Sequence, residues 1–147
     1  MATATTIDAD IRVSPGEGRY LCAILDKSLR ETPPVTNGEL ADYLDVSGAS
    51  VSEMIETFAE RELVSYVPYR GAELTDEGER LARKILWRRC TVQRFFETQA
   101  NVSLTDDQAY RIASLVPRRE LHKLGDVVEQ PCRDRCEATD VDECDDF

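Results

Sequence analysis

The chain has 147 residues, 41% of them hydrophobic, which fits one compact domain with an appendage and supplies enough apolar surface for a core. No run of about 18 apolar residues is present, and the N-terminus lacks the basic start and apolar stretch of a secretory leader, so a cytoplasmic protein with no membrane partner is expected. The net charge is −11 but unevenly spread: residues 1–60 carry 4 basic and 11 acidic side chains, residues 61–123 carry 12 and 9, and residues 124–147 carry 2 and 9. A basic middle between acidic ends suits a protein that meets phosphates with one face only. An acidic surface also fits a halophilic source, where molar salt cuts the Debye length to about 3 Å and screens the repulsion of DNA. An acidic face for a protein partner accounts for it equally.

Residues 1–13 are polar and expected to form a disordered tail. From Arg19, the residues Tyr20, Leu21, Ile24, Leu25 and Leu29 recur at helical spacing, and Pro33-Pro34 closes that helix. TNGELADYLDV predicts a short helix entered through Thr36 or Asn37, with Leu40, Ala41 and Leu44 on one stripe. The turn Val46-Ser47-Gly48 follows, Gly48 being free to take a positive φ there. The next helix, ASVSEMIETFAERE, turns Val51, Met54, Ile55 and Phe58 inward and Ser50, Ser52, Glu53 and Glu56 outward. Two short helices joined by a tight turn form a helix-turn-helix.

Leu63 to Val67 and Ala72 to Leu74 alternate as two strands about a hairpin tip, Pro68-Tyr69-Arg70-Gly71. Thr75, followed by two acids, caps a long helix running through LARKILWRRCTVQRFFETQA. Another helix starts at Leu104-Thr105-Asp106-Asp107 and reaches Leu115, Pro117 breaks or restarts it, and ELHKLGDVVEQ closes the ordered part. The fold class is thus mainly α with a small β wing, a winged helix-turn-helix over residues 14–87 followed by a helical dimerisation region over 88–131. Residues 132–147 form an acidic tail with Cys132, Cys136 and Cys144, whose C-x3-C-x7-C spacing is no standard zinc pattern.

From about Arg19 to Glu129 the chain resembles the diphtheria-toxin-repressor and manganese-transport-regulator family of winged-helix transcriptional regulators. The resemblance is carried by YLCAIL, LADYLDVSGASVSEMIETFAERELV, YRGAELTDEGERLA and LHKLGDVV. It implies a homodimer that binds a palindromic operator in double-stranded DNA, with half-sites one helical turn apart. Carried over by position, the groove-facing residues are Ser47, Ala49, Ser50, Ser52 and Glu53. Thr36 and Asn37 stand at the entry of the first helix of the pair, and Tyr69 and Arg70 at the wing tip. Hydroxyls bond phosphates or base edges, an alanine methyl packs on a thymine methyl, and a glutamate accepts from a cytosine amine. With no arginine between Ala49 and Glu60, DNA shape is expected to carry much of the specificity.

The family's metal ligands come from the first helix, the post-wing helix and the next helix. The resemblance places Arg19 and Cys22, then Cys90, then Tyr110, Ala113 and Ser114 at those positions. That set lacks the carboxylates and imidazole of a manganese or iron shell. Cys22 and Cys90 are suited instead to a reversible disulfide, or to a soft ion such as zinc with help from Asp26 or the tail. Both are equally at home as small buried hydrophobes. Arg88 and Arg89 precede Cys90 and favour its thiolate. His122, the sole histidine, aligns with no ligand and is expected at a surface or interface, while Trp87, Phe95 and Phe96 are expected in core or dimer interface.

Three functions follow: a redox-responsive regulator, a soft-metal-dependent repressor of the same family, or a winged-helix module that binds protein. No enzyme is expected, because no Gly-rich phosphate loop, nucleophile elbow or histidine-containing catalytic set occurs.

Overall fold

The computed structural model describes residues 13–128. Residues 1–12 of the expected N-terminal tail, and the acidic tail with Cys132, Cys136 and Cys144, lie outside them. Val13, assigned to that tail by its polar neighbours, is buried against the core.

Reciprocal caps set several of the helix starts. Helix α1 (Pro15–Arg30) begins four residues before the apolar periodicity. Ser14 accepts from the Glu17 amide, Glu17 returns the bond to the Ser14 amide, and Pro15 occupies the first turn, where its missing N–H costs nothing. Thr36 with Glu39 caps α2 (Asn37–Leu44) in the same way, and Thr105 with Gln108 caps α5 (Asp106–Leu115). Each cap contributes about 1 kcal/mol.

The turn into α3 (Gly48–Glu60) differs from expectation. Asp45, not Gly48, adopts the left-handed conformation (φ 55°), and its amide closes α2 on the Ala41 and Asp42 carbonyls. Gly48 is the first residue of α3, and Ser47 caps it. An aspartate tolerates this region better than most side chains, so the turn is made three residues earlier in the chain. Val51, Ile55 and Phe58 are buried as expected; Met54 is half-buried.

The strands β1 (Val64–Val67) and β2 (Gly71–Leu74) pair antiparallel, with Val64 opposite Leu74 and Val67 opposite Gly71. Val35, between α1 and α2, exchanges both backbone hydrogen bonds with Ala72 (2.9 and 2.8 Å), anchoring the hairpin to the helices. Helix α4 (Asp76–Ala100) follows, then α5 and α6 (Arg118–Val127). The expected boundary at 87/88 falls inside α4, so one continuous helix serves both parts. Leu21, Ile24, Leu40, Val51, Phe58, Leu86, Trp87 and Leu121 belong to a single core that joins the winged helices to α4, α5 and α6. Trp87 is fully buried, with the half-buried His122 ring tilted against it (centroids 5.8 Å) and Gly125 beneath it.

Two glycines mark close backbone crossings. A Cβ on Gly71 (φ 124°) would stand 2.0 Å from the Val35 carbonyl oxygen, and one on Gly78 would stand 1.9 Å from that of Leu63. Gly71→Ala and Gly78→Ala are each expected to lose about 3 kcal/mol in denaturant unfolding. Gly48→Ala, with nothing within 4 Å of its added methyl, should be neutral or slightly stabilising.

Candidate nucleic-acid interface and the cavity behind it

The polar face of α3 is built from its cap outward. The Ser47 hydroxyl accepts from the Ser50 amide (3.1 Å) and donates to the Ser50 hydroxyl (3.0 Å), holding the first turn open to one side. Ala49, Ser52 and Glu53 are exposed, Ser50 partly so, and the described part of α3 carries no lysine or arginine. Asn37 Nδ2 donates to Ser52 Oγ (3.2 Å), tying the start of α2 to this face. Thr36 is exposed but has its hydroxyl engaged by the Glu39 amide. At the wing tip Tyr69 is fully exposed with a positive φ of 64°, and Arg70 is exposed beside it. An aromatic residue held in the left-handed region costs about 1 kcal/mol or more, strain of the kind found at functional sites. The structure therefore presents Ser47, Ala49, Ser50, Ser52, Glu53, Tyr69 and Arg70 to solvent, with Asn37 bracing them. The α3 N-terminus, where amides and helix dipole favour a phosphate, is on the same exposed surface.

Behind this surface, α1, α2, α4 and α5 enclose a polar cavity of about 130 Å³, lined among others by Arg19, Cys22, Asp26, Tyr43, Arg89 and Tyr110. Arg19 donates to the Leu44 carbonyl at the end of α2 (2.9 Å). Tyr43 donates to Asp26 Oδ2 (2.5 Å), and Arg30 Nε bonds Oδ1 (3.2 Å), so the buried Asp26 carboxylate is doubly held. Arg89 is 6% exposed; its guanidinium lies 5.4 Å from the Tyr110 ring centre and 3.4 Å from Asp106 Oδ2. Burial opposes its charge, but Cys90, Tyr110 and Asp106 outweigh that and hold it above the usual guanidinium value. Burial also pushes the Tyr110 phenol well above its ordinary range, with Cys22 adding and Arg89 opposing.

The two cysteines occupy different surroundings. Cys22 lines the cavity and donates to the Ala82 carbonyl (3.4 Å), whereas Cys90 accepts from Arg89 Nη2 (3.4 Å) and is not among the lining residues. Both are buried thiols. On α4, Leu86 and Arg89 reach the cavity, Arg89 being expected from the sequence only as a neighbour of Cys90. Ala113 and Ser114 also lie off the cavity wall, leaving Tyr110 as the α5 residue beside Asp106. Among the described residues no group of three or more His, Cys, Asp or Glu side chains could hold a metal ion. With two guanidiniums in its wall, the cavity does not fit a divalent cation.

Helix-turn-helix, antiparallel wing and the long helix behind them define a winged-helix DNA-binding domain. Residues 14–72 match the iron dependent repressor N-terminal DNA binding domain. The transcriptional regulator MntR of Escherichia coli O6:H1 is 32% identical over 72 residues, 49% of this chain and 46% of that protein. The metal-dependent transcriptional regulator MtsR superposes with a TM-score of 0.67 at 22% identity, covering 78% of this chain and 54% of the other. A manganese-dependent transcriptional repressor in complex with manganese superposes at 0.66 and 24%, covering 76% and 51%. The chain thus spans about half the length of the MntR protein it matches. No described helix is long and apolar enough to cross a membrane.

Because the raised Tyr110 value makes the neutral phenol the form favoured by folding, its contribution to stability is complete below about pH 10 and is lost as pH rises further. In an absorbance titration of tyrosinate, Tyr110→Phe is expected to leave the curve below about pH 11 unchanged.

Proposed function

We propose that the protein is a sequence-specific DNA-binding transcriptional regulator, acting as a homodimer on a palindromic operator. The observation that carries this reading is the exposed polar face of α3, Ser47 to Glu53, standing beside an exposed Arg70 on an antiparallel wing. Each subunit would lay α3 in a major groove while the wing meets flanking backbone. Serine hydroxyls, the Ala49 methyl and Glu53 supply base-edge contacts, and the wing arginine a phosphate or minor-groove contact. Dimerisation is supported by apolar side chains left in solvent around α5 and α6: Leu115 is 62% exposed and Val127 52%. The half-buried Phe95 and Phe96 on α4 add to this surface.

A regulator of this design binds its operator without a divalent cation, since the cavity wall offers guanidiniums where a metal would need ligands. Anisotropy titration on duplexes selected from a random pool tests both statements. Chelator is expected to leave operator affinity within about twofold, well under the roughly tenfold that 1.4 kcal/mol of coupling would give. Loss of affinity on chelation would favour a metal-dependent repressor with ligands beyond residues 13–128. Diamide in the same assay reports on redox control: a loss of binding that Cys22→Ser or Cys90→Ser abolishes would establish those thiols as the sensor.

Arg70→Ala should weaken binding to all duplexes alike and reduce the slope of log affinity against log salt by about 2 for a dimer, one phosphate per subunit. Ser52→Ala and Glu53→Gln should instead flatten the preference at particular base pairs, each by about 1–3 kcal/mol. A protein that binds no duplex with salt dependence would be a protein-interaction module.

A further inference from the structure

The cavity that does not fit a cation has the composition of a site for the opposite charge. Its volume of about 130 Å³ far exceeds the ~10–15 Å³ that one water needs on the same measure. Arg89, buried at 6% exposure, has Nε without a hydrogen-bond partner among the described residues, its link to Asp106 Oδ2 is long at 3.4 Å, and its other partner is the weak acceptor Cys90 Sγ. A guanidinium carries five N–H donors, and a buried one is strongly stabilised by a bidentate oxygen partner. Arg19, on the facing helix, spends Nη2 on Leu44 and stands in the same wall.

The carboxylates present do not cancel this field. Asp26 is already matched by Arg30 and Tyr43. Asp106, whose side chain is 62% exposed, also accepts from Gln93 Nε2 (2.9 Å), so its charge is shared with solvent and with α4. With Asp26 matched by Arg30 from outside the wall, the guanidiniums of Arg19 and Arg89 stand against Asp106, with the Tyr43 and Tyr110 side chains alongside.

We propose that this cavity binds a small oxyanion, held by the guanidiniums of Arg19 and Arg89, with the Asp106 carboxylate as the internal occupant it displaces. The ligand chemistry is that of a carboxylate or phosphate group of few heavy atoms. Because Arg19 also holds the last carbonyl of α2, the occupied cavity is coupled to the helix-turn-helix. The assignment concerns the cavity alone and is independent of whether the chain binds DNA.

Calorimetric titration of the full chain at constant ionic strength in potassium chloride, with inorganic phosphate and acetate as separate titrants, tests it without DNA. Saturable one-site binding of at least one titrant is expected, and which one binds identifies the headgroup. Arg19→Gln and Arg89→Gln should each weaken that binding about tenfold or more, as expected for loss of a charge-assisted pair. Asp106→Asn should strengthen it severalfold by removing the competing carboxylate, an opposite sign that general loosening of the fold would not produce. Arg19 lies partly in solvent, so its variant remains informative if Arg89→Gln fails to fold, with circular dichroism as the check. Absence of saturable binding by both titrants overturns the proposal. So does binding that the Arg19 and Asp106 variants leave unchanged.

Discussion

Buried positive charge on α4 is the constraint around which the rest of this structure is arranged. Arg83, Arg88 and Arg89 are each less than 10% exposed, and a buried guanidinium is tolerated only where it is paired. Arg83 finds Glu79 one turn back on its own helix (3.0 Å). The next two reach across to α5 at opposite ends. Arg88 donates to the carbonyls of Ala113 and Val116, where α5 terminates, and Arg89 meets Asp106 and Tyr110, where it begins. Consecutive residues on a helix point about 100° apart, so this pair straddles α5 and fixes both its distance and its direction. The acid at the start of α5 and the cation at its end also match the helix dipole.

Two arginines of the cavity wall tie the winged helices together and to the helices behind them. Here Arg19 joins α1 to the end of α2, and Arg89 joins α4 to α5, by hydrogen bonds and ion pairs that belong to the chain itself. A guanidinium keeps its charge at neutral pH, so such a joint needs no bound ion to hold it. The two arginines leave a space between them. That space lies on the inner side of α2, one helix removed from the face that α3 presents.

The unequal division of charge along the chain acquires a place in the same picture. The acidic side chains of residues 13–60 include the caps Glu17 and Glu39, which are spent on starting helices and face away from the core. Of the basic side chains of residues 61–123, Arg83, Arg88 and Arg89 are buried on α4, whereas Arg70, Arg80, Arg111, Arg119 and Lys123 are exposed. Part of the positive charge that the middle of the chain contributes is therefore structural, and Arg70 is the basic group offered at the wing tip.

Much of the architecture was legible in the residues. Caps at Thr36, Thr75 and Thr105 fall where a hydroxyl precedes an acid or amide by two or three positions, and the apolar spacing of α3 and the alternation of the wing are local signals that need no tertiary context. The cap at Ser14 was equally local and was missed because the apolar stripe starts later. The left-handed turn residue was misplaced for a related reason: glycine is the commonest occupant, yet Asp45 takes the position and Gly48 opens the next helix. What the residues alone could not decide is the rotational phase of α4. Arg88, Arg89 and Cys90 are adjacent, and a step of one residue moves a side chain about 100° around the axis. Which of the three meets the cavity depends on how a 25-residue helix docks against α1 and α5. Local periodicity thus determined the winged helix, whereas packing decided that its central cavity is lined by arginine.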